Sequence, residues 1–310
     1  MEGNVGRGLP LHIARALQAV DGACSSSDAG DGGAACLDAS LGLADALTYY
    51  VGAVAVAQYS QAVYTERIEP DPTLNRSLRS LRRVLPGQWL GWAARGLEAW
   101  PGGPVAGMAE WYLTPVGGDI AGAYEALRRL MAEHLNYAGD YGPRDEVSPR
   151  LLLEMVDQYG IRRAKTPAES LPADFDAQVA DTILPGLRAA IESAGFMSEY
   201  PLYAPQQRQL LMGTSPTTPM PPMSAPDEAE ATILAYPPGE PPDYTKRPDL
   251  TAERLPLFPL DPLLAYLRCE QCGTYRVAAL SEVAGGVPTY LGLDPDCGHL
   301  LNPAAEPALS

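Results

Sequence analysis

Two groups of residues in this 310-residue chain have types and spacings that could do chemistry. The first is Arg128-Arg129-Leu130-Met131-Ala132-Glu133-His134, in a stretch with helical periodicity. An arginine placed one to two turns before a histidine brings both side chains toward one helix face. There His134, with an ordinary pKa of about 6.5, would exchange a proton with a ribose hydroxyl or a leaving oxygen. Arg128 or Arg129 would hold the scissile phosphate with a bidentate fork and stabilise developing charge. The chemistry so described is metal-independent RNA cleavage. The competing reading is a surface helix in which Glu125 or Glu133 pairs with the arginines and His134 packs or caps.

The second group is Cys269-Glu270-Gln271-Cys272 with Cys297-Gly298-His299. Cys269 and Cys272 have the spacing of a zinc knuckle, and Gly273 permits the tight turn after the second thiolate. Cys297 and His299 complete a four-ligand set of thiolates and imidazole, both suited to Zn²⁺. A predicted hairpin, Tyr275 to Leu293, joins the two halves as in a zinc ribbon. Four protein ligands leave no open position for water, so the expected role of the zinc is structural.

These residues sit in an acidic chain of formal net charge −16 with 46% apolar residues. The overall field repels nucleic acid and favours basic partners, so any RNA-acting role needs a local basic patch. Arg76, Arg79, Arg82 and Arg83 surround the leucines of one predicted helix and form a weak phosphate-binding stripe. The lysines are Lys165 and Lys246, so arginine carries nearly all the positive charge; with abundant Ala, Gly and Pro this fits a GC-rich bacterial coding sequence. The polar, glycine-rich Met1 to Pro10 does not read as a signal peptide. Ala46 to Tyr59, the most apolar helical stretch, is shorter than the ~20 residues of a membrane span and reads as a core helix. Five cysteines, two of them in Cys-x-x-Cys, fit a reduced, cytoplasmic compartment better than a disulfide scaffold.

The elements that position the two groups divide at about Phe196. Before it the pattern is helical. A short helix follows Pro10, and Asp21 to Ala35, which includes Cys24, reads as a mobile loop. Leu37 to Arg67 is a long apolar helix or a kinked pair. Asp71-Pro72 caps the next, in which Leu74, Leu78, Leu81 and Leu85 keep helical spacing. Further helices cover Gln88 to Trp100, with its tryptophans in the core, then Val105 to Leu113 and Asp119 to Asn136. Two more run from Ser148-Pro149 to Arg163 and from Asp174 to Ala194, the last kinked at Pro185. After Phe196, Gln209 to Gly213, Ala231 to Tyr236, Leu255 to Leu260, Pro262 to Cys269, Tyr275 to Val283 and Val287 to Leu293 read as short strands. Ala284-Gly285-Gly286 fits a hairpin turn. Proline-rich Thr214 to Ala225 and Pro237 to Pro248 read as exposed loops. His12 reads as a structural residue. No Ser-His-Asp set, paired-carboxylate motif or phosphate loop is present in this pattern.

The helical part, roughly residues 8 to 200, resembles the HEPN superfamily, and more narrowly the HEPN-like modules of bacterial signalling and defence proteins. The resemblance rests on Leu9-Pro10-Leu11-His12-Ile13-Ala14-Arg15-Ala16, Ala44-Asp45-Ala46-Leu47-Thr48-Tyr49-Tyr50, Trp89-Leu90-Gly91-Trp92 and Tyr124 to His134. It implies a dimeric family in which two Arg-His motifs face across the interface, with many binding-only members. Active members usually carry a polar residue, often asparagine, after the arginine and a glycine after the histidine; here Leu130 follows Arg129, or Arg129 follows Arg128, and Leu135 follows His134. The C-terminal stretch resembles a small β module that often follows such domains.

The expected fold is α+β: a HEPN-like helical bundle over residues 1–198, a mainly antiparallel β module with proline-rich loops and a zinc ribbon over 199–302, and a disordered tail over 303–310. The expected function is that of a non-catalytic regulatory or protein-interaction protein of a bacterial stress or antiphage system, cytoplasmic and not membrane-bound, acting through a protein partner or homodimer. The alternative is a dimeric ribonuclease using Arg128, Arg129 and His134, with RNA as partner. A second alternative is a substrate or inhibitor of a partner protease, presenting Thr214 to Arg254 as a cleavable loop.

Overall fold

The computed structural model describes residues 8–25, 32–79, 84–137, 142–204, 209–212, 234–235, 258–260, 262–284 and 287–302. The chain is α+β, with helices preceding short antiparallel strands. The helices are α1 (Leu11–Ser25), α2 (Gly32–Tyr64), α3 (Pro72–Arg79), α4 (Pro86–Ala99), α5 (Met108–Leu113), α6 (Asp119–His134), α7 (Pro149–Arg163), α8 (Phe175–Ser193) and α9 (Phe196–Glu199).

The bundle forms around α2. This helix is 33 residues long and apolar on nearly every side, so it has no solvated face to offer and is enclosed by α1, α4, α7 and α8. It is long and apolar enough to cross a membrane, but 78% of its most apolar window is buried inside the protein. Glycines set how closely its neighbours approach. A Cβ at Gly52 would stand 2.6 Å from the Trp89 ring, and one at Gly96 would stand 3.1 Å from the Ala55 carbonyl oxygen. The α2–α4 crossing therefore needs both positions bare. Trp89 fills the contact, edge-on to Tyr49 and to Trp92 at ring separations of 5.7 and 5.2 Å.

Local signals act where they were expected. The Asp71 carboxylate accepts from the backbone N–H groups of Thr73 and Leu74 at 2.7 and 2.9 Å, capping α3. Ser148 caps α7 by accepting from Leu151 N–H. Pro185 lies within α8. One expectation is corrected: Asp21 to Ala35 is not a continuous loop. α1 runs through Cys24 to Ser25, α2 begins at Gly32, and Cys24 is disulfide-bonded to Cys36 across the α1–α2 junction. The expectation of reduced thiols therefore fails for these two cysteines, while Cys269, Cys272 and Cys297 are free thiols. The physical reason is geometric: α1 and α2 pack against each other and hold the two Cα atoms 4.7 Å apart, within bridging range.

Two four-stranded antiparallel sheets follow. The first, in the order β2-β1-β3-β4, joins β1 (Leu202–Ala204), β2 (Gln209–Leu210), β3 (Leu234–Ala235) and β4 (Phe258–Pro259). The second, in the order β5-β6-β7-β8, joins β5 (Leu264–Arg268), β6 (Tyr275–Ala284), β7 (Val287–Gly292) and β8 (Leu300–Leu301). β6 and β7 pair up to Ala284 and Val287, as a hairpin requires; Gly285 and Gly286 of the expected turn lie outside the described residues. So do most of Thr214 to Arg254, the tail 303–310 and Arg83.

The sheets pack on the bundle through one continuous apolar core. Polar contacts fix the join. Leu11 N–H donates to the Leu211 carbonyl at 2.9 Å, and Val84 N–H donates to the Ser281 carbonyl at 2.8 Å, where β6 is irregular. Near this join His12 is fully buried, 5.9 Å from the Tyr50 ring. Burial lowers its pKa from 6.5 to about 3, with the Ala46 backbone partly offsetting the shift and Arg15 adding to it. The folded protein thus keeps His12 neutral while the unfolded chain binds a proton near 6.5. The associated stability is fully present above that value and is lost as pH falls toward 3, by an amount on the order of 4 kcal/mol. We expect His12→Phe to flatten the dependence of the melting temperature on pH over this window; equal slopes for the two proteins would refute the assignment.

Candidate metal centre

The C-terminal sheet is built so that two loops meet at its end. The first, Cys269 to Thr274, connects β5 to β6; the second, Leu293 to His299, connects β7 to β8. Because β6 and β7 are neighbours in the middle of the sheet, the two loops lie side by side. In the first, Gly273 adopts φ +70° and its N–H donates to the Cys269 carbonyl at 2.8 Å, while Cys269 N–H donates to the Thr274 carbonyl. In the second, Gly298 adopts φ +54°, and Cys297 N–H donates to the Asp294 carbonyl at 2.9 Å. Both turns use the left-handed region, which glycine enters without steric cost.

These turns bring Cys269, Cys272, Cys297 and His299 together, with ligand atoms all within 4.8 Å of one another. His299 Nδ1 lies 3.4 Å from Cys269 Sγ, 3.4 Å from Cys272 Sγ and 3.6 Å from Cys297 Sγ. A tetrahedral ion with metal–sulfur and metal–nitrogen bonds of about 2.3 and 2.05 Å has a sulfur–nitrogen edge of about 3.6 Å. The separations match that edge, so the four residues lie close enough to hold a metal ion. The backbone adds a typical thiolate partner: Cys272 N–H points at Cys269 Sγ, 3.4 Å away.

The electrostatics of the cluster favour a cation. Burial resists ionising Cys269, but the Cys272 backbone N–H and hydrogen bonds from His299, Cys272 and Cys297 outweigh it and lower its pKa. Burial, reinforced by the neighbouring cysteines, raises that of Cys297. Several thiolates cannot share this volume without a positive charge among them, and an ion that supplies it displaces the remaining protons.

A charged network supports the second loop from behind. Asp294, 2% exposed, accepts from Arg276 Nη1 at 3.1 Å and from Arg15 Nη1 at 2.6 Å. Arg276 Nη2 also donates to Asp296 at 2.8 Å. The loop that carries Cys297 and His299 is thereby tied to β6 and to α1 of the bundle. Gly292 closes the arrangement from below: a Cβ there would stand 2.8 Å from Cys297 Sγ. Neither Asp294 nor Gly292 was singled out by sequence. The first is signalled by pairing with Arg276 and with Arg15, 18 and 279 positions away, and the second by a close approach in space.

The Arg-His group is placed differently. Arg128 donates twice to Glu125, at 2.9 and 2.7 Å, and Arg129 donates to the same carboxylate at 3.0 Å. The Arg128 hydrogen bond is the largest influence on Glu125, and the two arginines together lower its pKa to about 2. His134 turns away to pack edge-on against Phe175 at 5.2 Å, with Glu133 3.7 Å from its Nε2. The Arg128 fork that a phosphate would need is thus closed on a carboxylate one turn earlier, while Arg129 reaches the same carboxylate through Nε alone. Of the expected arginine stripe, Arg76 is exposed on α3, and α3 ends at Arg79. No family model, curated protein or solved structure matches the chain.

Two outcomes follow for the centre. Purified protein is expected to carry one metal ion per chain by native mass spectrometry, and Cys272→Ser or His299→Ala to lose it; full occupancy in both variants would exclude these ligands. Gly292→Ala, which crowds Cys297 without removing a ligand, is expected to weaken metal affinity by about 10- to 100-fold in a chelator competition, whereas unchanged affinity would show that the close approach is immaterial.

Proposed function

We propose that this chain is a non-catalytic interaction protein, in which a structural Zn²⁺ held by Cys269, Cys272, Cys297 and His299 stiffens a ribbon docked on a helical bundle. One observation carries the reading: the residues that could have cleaved RNA are engaged with protein. Arg128 and Arg129 share Glu125, and His134 packs on Phe175. The resemblance to HEPN-like modules supports the same view, because binding-only members are frequent there and Leu130 and Leu135 depart from the active pattern.

The donor set supports zinc among the first-row ions. Three thiolates and one imidazole in a tetrahedral arrangement suit Zn²⁺, which has no geometric preference of its own and no redox chemistry. When bound, the ion supplies a fixed positive charge and a cross-link; the residues supply closure, because the four ligands fill its coordination shell. Asp294 and Arg276 hold the second loop at the correct distance, and Gly273 and Gly298 let each loop turn back on itself.

The test is RNA cleavage by metal-loaded protein in buffer without added Mg²⁺ or Ca²⁺, beside His134→Ala, together with affinity capture of protein partners. We expect no cleavage by either protein and recovery of a defined partner. Cleavage by the wild type that disappears in His134→Ala would overturn the proposal and restore Arg128, Arg129 and His134 as an active site.

A further inference from the structure

A large cleft among the described residues is lined by none of the residues of the two sequence motifs. It encloses about 750 Å³ between α5, the start of α6, the end of α8 and α9. Its size lies within the range of ligand-binding clefts, roughly 300–1,000 Å³. Trp111 and Phe196 line it, edge to face at 5.4 Å. The indole Nε1 donates to the Ala190 carbonyl at 2.9 Å and contacts Ser193 Oγ at 3.1 Å, so the polar edge of Trp111 is satisfied within the protein. Val116 adds an aliphatic side chain that is 40% exposed, held by paired backbone hydrogen bonds to Val147. Held in this way, Val116 offers a fixed apolar surface on the same cleft as Trp111 and Phe196.

The charge at this cleft has one sign. Glu110, Asp119 and Glu199 line it, all three exposed, and no arginine or lysine lines it. None of the three forms a salt bridge among the described residues, whereas Glu125, Glu154, Asp176 and Asp294 elsewhere each have an arginine. The net charge of −16 adds to this local field. Nucleic acid is repelled from such a surface; a cation is attracted, and an aromatic or aliphatic group attached to it finds an apolar wall.

We propose that this cleft binds a basic peptide segment of a partner protein, with a large apolar side chain seated against Trp111, Phe196 and Val116 and lysine or arginine residues on either side facing Glu110, Asp119 and Glu199. The proposal deepens the interaction reading above and rests on it, but its test does not use RNA cleavage, so the two fail separately.

The probe is a fluorescein-labelled synthetic peptide with a central Trp-Leu flanked on both sides by Lys-Arg, titrated with metal-loaded full-length protein and followed by anisotropy. Control peptides carry Glu-Asp flanks, or Ser-Gly in place of Trp-Leu. Ala189→Trp fills the cleft from α8, and Thr114→Arg places a cation on its exposed edge without touching the core. A rim variant combines Glu110→Gln, Asp119→Asn and Glu199→Gln; a remote variant with the same charge change combines Glu69→Gln, Glu169→Gln and Glu282→Gln. We expect the basic Trp-Leu peptide alone to bind, and Ala189→Trp, Thr114→Arg and the rim variant each to weaken it by about tenfold or more while the remote variant does not. Equal weakening by rim and remote variants would overturn the proposal, since the field of the whole molecule would then suffice. So would equal binding of either control peptide, or no binding at all. Loss of a homodimer in Ala189→Trp without peptide binding would assign the cleft to a second copy of the chain and overturn it likewise.

Discussion

A carboxylate removed from water must be neutralised, and the arrangement of this protein's two halves follows from how Asp294 meets that requirement. Its side chain is fully shielded, and it accepts hydrogen bonds from arginines of two different elements, Arg15 on α1 and Arg276 on β6. Burial pulls its pKa upward and the two guanidiniums pull it down. Removing either partner would leave a buried charge under-compensated, a defect typically costing several kcal/mol. That cost disfavours separation of the ribbon from the bundle and makes the loop carrying Cys297 and His299 part of the interface. Apolar packing across the join adds area but little direction; the charge pairs set the registry.

Metal centre and bundle are therefore mechanically connected. The Cys269 loop is a self-contained turn that needs only its own glycine. The Cys297 loop has three external restraints: Arg276 and Arg15 on Asp294, and the bare Gly292 beneath the Cys297 sulfur. A tetrahedral site tolerates errors of only a few tenths of an ångström in ligand position, so these restraints decide whether the fourth corner is available. Glu125 shows the opposite use of charge pairing. It collects two arginines, one half-buried like itself and one exposed, and converts residues that resemble a phosphate grip into a local brace.

Much of the fold could be read from the chain because its signals are local. Asp71 and Ser148 announce helix starts through a side-chain oxygen three residues from the N–H it caps. The ligand set was legible for a similar reason: Cys269 with Cys272, and Cys297 with His299, are each close in sequence, and a predicted hairpin joins them. The engagement of Arg128 and Arg129 by Glu125 was among the readings weighed, being an i,i+3 and i,i+4 matter. The strands β1 and β8 escaped because three and two residues are too few to show alternation. The Cys24–Cys36 bond escaped because it depends on the crossing of α1 with α2, and a Gly/Ser/Ala-rich composition hides the helix ends on both sides. The acidic cleft has no linear signature at all, since five helices, α5 to α9, contribute to it.

The pairing of Arg15 with Asp294 also has a meaning in time. A ribosome delivers α1 long before the Asp294 loop, which follows Arg15 by 279 positions. The backbone at Leu11 waits for the Leu211 carbonyl, and Arg15 waits longer still, for Asp294. Helices α1, α2 and α4 can pack on one another as they emerge, whereas α2 gains its α7 and α8 neighbours only later. The start of α1 is completed only when the ribbon arrives. The join between the two halves is thus a checkpoint of synthesis, at which a chain cut short before residue 294 remains unfinished at α1.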